Sequence, residues 1–115
     1  MESELNVLKI YLSSTDRHKH DLMYEIIVEL AKKQGIEGVT VYRGIMGYGA
    51  SSQQINNSRF WELTEKLPVV IEMIDERKKL QDFYELIKPE LNEFPKGIVV
   101  TMHSVEVMFK KTGRK

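Results

Sequence analysis

The sequence predicts an α+β sandwich in which an antiparallel sheet carries two helices on one face. Three observations lead there. Apolar spacing switches between the two-residue period of a strand and the 3.6-residue period of a helix, in the order strand, helix, strand, strand, helix, strand. Residues suited to caps and turns stand near the switches. The length, 115 residues, suits a single domain with a single core.

Residues 7 to 12 alternate, with Leu8, Ile10 and Leu12 on one face and Lys9 and Tyr11 on the other, and read as the first strand. From about residue 18 to 34, Leu22, Met23, Ile26, Ile27, Leu30 and Ala31 form one stripe at helical spacing. Thr15 and Asp16 are the candidate caps for its start, and Gly35 suits its stop. The second strand is expected from Val39 to about Met46, and the third over 68–74, PVVIEMI, with Glu72 its only charge. Asp75 is the candidate cap of a second helix whose buried side holds Leu80, Phe83, Tyr84, Ile87 and Leu91. Pro89 is expected to end or bend it. A final strand region covers 98–109, and 110–115, KKTGRK, reads as a basic tail. This order suggests the ferredoxin-like split βαβ arrangement. Its uncovered sheet face should alternate polar and apolar. Yet Val69, Val70 and Ile71, and again Ile98, Val99 and Val100, are successive apolar residues, so a second copy of the chain is expected on that face. There is no internal repeat or linker, and one domain is expected over 1–115.

Composition narrows the function. Lys plus Arg and Asp plus Glu number 17 each, a net charge of zero that argues against a dedicated nucleic-acid binder. With no cysteine, disulfides and thiolate metal sites are excluded. No run approaches the roughly 18 apolar residues of a membrane span, so no integral membrane protein is expected. The start, MESELNVLKI, has neither the basic opening nor the apolar stretch of a signal peptide, and a cytoplasmic location is expected.

The richest segment is 38–49, GVTVYRGIMGYG. A strand pattern runs into Gly44, Gly47 and Gly49, then into the polar run ASSQQINNSR. Spaced glycines let backbone approach another group closely, and a loop of this length, about 44–66, is more often a binding loop than a connection. Arg43 beside the first glycine is either an exposed strand-end charge or a phosphate contact. Lys96 and Gly97, in the turn FPKG, are either a plain turn or a phosphate cradle. Glu72 is either a solvated strand residue or a hydrogen-bond partner for a ligand hydroxyl. Trp61, after Phe60, reads as a packing anchor. His18 and His20, two apart, do not face one another on a helix, and a metal site there would need carboxylates from elsewhere. A surface role is expected for both, and a structural one for His103. No GxSxG, Walker A or HExxH motif occurs, and no catalytic residue or tightly bound metal is expected.

Three runs, GVTVYRGIMGYGA, LPVVIEMID and KGIVVTMHSVEV, resemble the PII-like proteins of the domain of unknown function 190, over nearly the whole chain. A weaker similarity extends to the nitrogen-regulatory PII signalling proteins. It runs through Gly38-Val39-Thr40-Val41, Gly47-Tyr48-Gly49, Leu67-Pro68, Ile71-Glu72 and Lys111-Thr112-Gly113. The resemblance implies a ferredoxin-like homotrimer that binds adenine nucleotides, with or without magnesium, in clefts between subunits. The long loop would meet a partner such as a transporter or an enzyme. Carried over by position, Thr40 and Glu72 would lie near adenine or ribose. Gly47, Tyr48 and Gly49 would shape the loop base beside the phosphates, Lys96 and Gly97 would fall on the phosphate turn, and Lys111 would match a basic residue of the last strand. Val69 stands where PII has a lysine, Phe109 where it has an arginine, and Pro95-Lys96-Gly97 replaces its G-D-G-K turn. Fewer cations predict that AMP or ADP binds at least as well as ATP. The alternatives are a divalent-cation-binding trimer of the ion-tolerance type and a structural trimer without ligand.

Overall fold

A computed structural model describes residues 4–48, 56–57 and 67–113. Strand β1 (Leu5–Ser13) leads through a tight hairpin, β2 (Arg17–His18) and β3 (Asp21–Leu22), into helix α1 (Met23–Lys33). Strand β4 (Gly38–Arg43) follows, then a short ribbon of β5 (Met46–Gly47) and β6 (Asn56–Asn57). Strand β7 (Pro68–Glu76), helix α2 (Arg77–Glu93) and strand β8 (Val99–Ser104) complete the chain. The main sheet has the order β4-β7-β1-β8 and is antiparallel throughout. That is the ferredoxin-like order, as expected.

One core lies between the sheet and the two helices. Alternate residues Leu8, Ile10 and Leu12 of β1 and Val69, Ile71 and Met73 of β7 meet Met23, Ile27 and Ala31 of α1 and Leu80, Phe83 and Ile87 of α2. The two central strands bury this face because helices cover it on one side only.

Several local expectations are corrected. Helix α1 starts at Met23, about a turn later than its apolar stripe suggested, because 17–22 close into a hairpin first. Neither Thr15 nor Asp16 caps it. Leu22 holds the N-cap position without a side-chain bond. Asp16 instead accepts a bond from the Ser13 N–H at 2.9 Å, while its carbonyl accepts one from the Met23 N–H at 2.8 Å. Asp75 stands one place before the N-cap of α2, which is Glu76. Its carboxylate receives the Glu76 N–H at 2.7 Å and the Glu37 N–H at 2.9 Å, and pairs with Lys79 at 2.9 Å. Asp75 therefore ties the start of α2 to the segment entering β4. Burial, the largest influence, pushes its carboxyl pKa up, but the bonds from Lys79 and the two backbone amides outweigh it and leave the pKa below the usual value.

Pro89 lies inside α2, which runs on to Glu93. The helix loses one N–H there, at an exposed position. Strand β4 ends at Arg43 rather than Met46, and β8 spans Val99–Ser104 rather than 98–109. After β8 the chain leaves the sheet. The Val105 N–H bonds the Leu5 carbonyl at 3.1 Å, and Lys110 forms an ion pair with Glu37, just before β4. Since β8 and β4 are opposite edges of the sheet, this segment crosses its end from edge to edge.

Candidate functional site

The strand register arranges the helix-free face in rows. Thr40, Glu72, Lys9 and Thr101 form a polar row across all four strands. Beside it Tyr42, Val70, Tyr11 and Val99 form an apolar row, with Tyr42, Tyr11 and Val99 exposed at 48, 40 and 54%. On the other side stand Gly38, Ile74, Val7 and the exposed His103. The successive apolar residues noted in the sequence thus divide: Val69 and Ile71 enter the core, and Val70 joins the open face.

Glu72 is the centre of the polar row. It accepts a bond from the Tyr42 hydroxyl at 3.1 Å and lies 4.0 Å from the Lys9 ammonium. The hydrogen bond to Glu72, and the carboxylate charge behind it, raise the Tyr42 pKa above the ordinary phenol value. Thr40 is directly opposite Glu72 on β4. Thr40 and Glu72, paired in the sequence reading, are therefore neighbours. Lys9 and Tyr42 complete the group and were missed, because alternation tells which face a residue takes but not which residue it meets across strands.

At one end of the sheet, on the β4 edge, stand Arg43, Gly44 and Gly47. The close approach that the glycines permit is to Pro68, the first residue of β7. The Gly44 N–H bonds the Pro68 carbonyl at 2.7 Å, and a Cβ at Gly44 would come within 2.7 Å of Pro68 Cγ. A Cβ at Gly47 would lie 3.2 Å from the same atom. Tyr48 is 73% exposed. Gly49, Phe60, Trp61 and most of the 44–66 loop lie outside the described residues.

Lys96 and Gly97 precede β8 at the same end of the sheet but at the opposite edge. They help line an open cavity of ≈ 410 Å³ with Tyr84, Lys88, Leu91 and Ile98. Lys88, whose ammonium stands 5.7 Å from the centre of the Tyr84 ring, adds a second cation to this cavity. It too was missed, because only the end of α2 folding over the turn brings it there. Three strand spacings of about 4.8 Å separate the two edges, or about 14 Å. Lys111 is exposed and follows Lys110, which is anchored near the far end of β4, about 20 Å of strand from Gly44. One chain therefore joins Thr40 with Glu72 and Arg43 with Gly47, and keeps Lys96, Gly97 and Lys111 apart from both pairs.

Known proteins resemble this chain. A UPF0166 protein of Aquifex aeolicus is 36% identical over 103 residues, covering 90% of this chain and 92% of its own. Another, from Methanocaldococcus jannaschii, is 40% identical over 86 residues, or 71% and 78% of the two chains. Among solved structures, the fold matches CPII, a nitrogen regulatory PII-like protein from Thiomonas intermedia K12 bound to ADP, AMP and bicarbonate. The TM-score is 0.60 at 18% identity, over 93% of this chain and 96% of that one. At that identity the likeness concerns the fold. No described helix is long and apolar enough to cross a membrane. The DUF190 family model (Uncharacterized ACR) matches residues 5–107, which hold the whole sheet, both helices and both edges of the candidate site, and the chain belongs to that family.

Proposed function

We propose that this protein is a non-enzymatic, homotrimeric sensor of adenine nucleotides, which binds AMP or ADP in preference to ATP between neighbouring copies. The observation that carries the reading is the division of the site. Arg43 and the glycine-lined loop base stand on the β4 edge, and Lys88, Lys96 and Gly97 stand about 14 Å away on the β8 edge, at the same end of the sheet. A head-to-tail ring brings two different edges together at every interface. The exposed Tyr42, Tyr11 and Val99 supply apolar surface for it to bury.

In this arrangement the lysine cavity receives phosphate. Lysine is a mobile point charge suited to that role, and Arg43 adds a planar donor. Thr40 and Glu72 offer hydroxyl and carboxylate partners to the nucleoside. Val69, Phe109 and the Pro95-Lys96-Gly97 turn leave few cations for a third phosphate. The bound ADP and AMP of CPII support the same ligand class. The nucleotide signals through the 44–66 loop only if it favours one loop state over another, and a partner protein such as a transporter or enzyme would read that state from a cytoplasmic trimer.

Calorimetric titration with AMP, ADP, ATP and cyclic AMP, with and without magnesium, tests the reading. The expected result is about one AMP or ADP per chain, with ATP no tighter. ATP bound tenfold more tightly, about 1.4 kcal/mol, would remove the preference. No binding to a folded trimer would leave a structural assembly.

A further inference from the structure

The hairpin of β2 and β3 lays His18 against the last turn of α2. Its Nε2 is buried and lies 3.0 Å from Glu90 Oε2, yet the two do not form a directed hydrogen bond. Glu93, one turn on, brings a second carboxylate. The imidazole nitrogen and the two carboxylate oxygens all fall within 4.8 Å of one another. The carboxylates that His18 lacked in the sequence thus come from α2, some seventy residues away, a distance that spacing motifs do not cover.

The arrangement is unfavourable without a cation. Glu90 and Glu93 are neighbours at i,i+3 and repel. They also occupy the last turn of α2, at the negative end of the helix dipole, where no basic residue offsets them. A neutral imidazole aiming a lone pair at Glu90 would add a further repulsion. Meanwhile His18 is held in place. Its side chain is only 15% exposed, the Arg17 guanidinium bonds the His20 carbonyl at 2.9 Å, and Lys19 takes a left-handed φ of 62° to close the turn. One fixed nitrogen and two carboxylates on exposed, adjustable side chains suit a borderline divalent ion. In tetrahedral zinc with bonds of about 2.0–2.2 Å, ligand atoms stand about 3.3–3.5 Å apart, close to the 3.0 Å already found between His18 and Glu90. All-oxygen sites are the choice of magnesium and calcium, whereas imidazole with carboxylates favours the zinc class.

We propose that His18, Glu90 and Glu93 form a zinc-class divalent metal site, with water completing the coordination, that pins the β2–β3 hairpin to the end of α2. The site is independent of the nucleotide reading, and its test omits nucleotide. The full chain, freed of metal with a chelator, is titrated with zinc chloride by calorimetry and followed by thermal melting. The expected result is one zinc per chain and a raised Tm. Binding should weaken at least about tenfold (about 1.4 kcal/mol) in each of His18→Asn, Glu90→Gln and Glu93→Gln, and stay unchanged in His20→Asn. Without zinc, Glu93→Gln should melt no lower than the parent, because it removes a repelling charge. No zinc binding by the parent would overturn the proposal. Parent-like binding by His18→Asn would overturn it as well, placing the metal elsewhere.

Discussion

Glu72 has Lys9 on one flank and Tyr42 on the other, with Thr40 opposite, all on a sheet face that no helix covers. A lone charge inside an apolar strand was visible in the sequence; its partners depended on register. Replacing Glu72 with Ala is expected to weaken AMP binding at least tenfold, about 1.4 kcal/mol, while lowering stability by no more than about 1 kcal/mol, as for an exposed pair. Calorimetry and urea melts on the same sample separate the two effects. Asp75 has the opposite balance, being nearly fully buried with three donors on its carboxylate. Asp75→Asn should cost about 1–3 kcal/mol at neutral pH. Its folded pKa lies below the ordinary 3.8, so its contribution is complete above that value and lost as pH falls through the folded pKa. Urea melts of parent and variant should therefore draw progressively together as pH falls below about 4. Gly44 has a steric reason for its identity. A Cβ there would strike Pro68 Cγ, so Gly44→Ala should destabilise by about 1–3 kcal/mol, seen as a lower urea midpoint.

At the scale of elements, periodicity located every strand of the main sheet and both helices, since each buries one face against a common core. It placed ends less well. The stripe that predicts α1 from residue 18 includes Leu22, which the structure uses in β3. Two-residue strands carry too little pattern to be seen against a helix stripe. The proline rule predicts an end or bend at Pro89, but an exposed proline near a helix end loses one bond whose carbonyl water can satisfy. Buried Leu80, Phe83 and Ile87 on the other face hold α2 together. Pro89→Ala should restore the missing N–H and stabilise the protein by about 1–3 kcal/mol, measured as a raised urea midpoint.

At the scale of the whole molecule, the residues that resemblance gathers into one site are spread over the sheet: Arg43 and Lys96 stand on opposite edges at one end, Glu72 on an inner strand, and Lys111 in a tail that crosses the other end. The residue identities were legible in the sequence. Their separation was not, because strand order follows from the path of the crossovers rather than from any local pattern. Exposed Tyr11, Tyr42 and Val99 are proposed to lie between copies, so Tyr11→Glu should turn a trimer into monomers, read by light scattering after gel filtration. The claim that each nucleotide is shared by two chains is tested most directly by mixing. Arg43→Ala disables the β4 edge and Lys96→Ala the β8 edge. The two variants, each weak in AMP binding alone, are unfolded together, refolded as mixed trimers and titrated with AMP. In random trimers roughly a quarter of the interfaces join two intact edges, so parent-like affinity should return at about that fraction of sites. Mixed trimers that bind AMP no better than either variant alone would contradict a site built between chains.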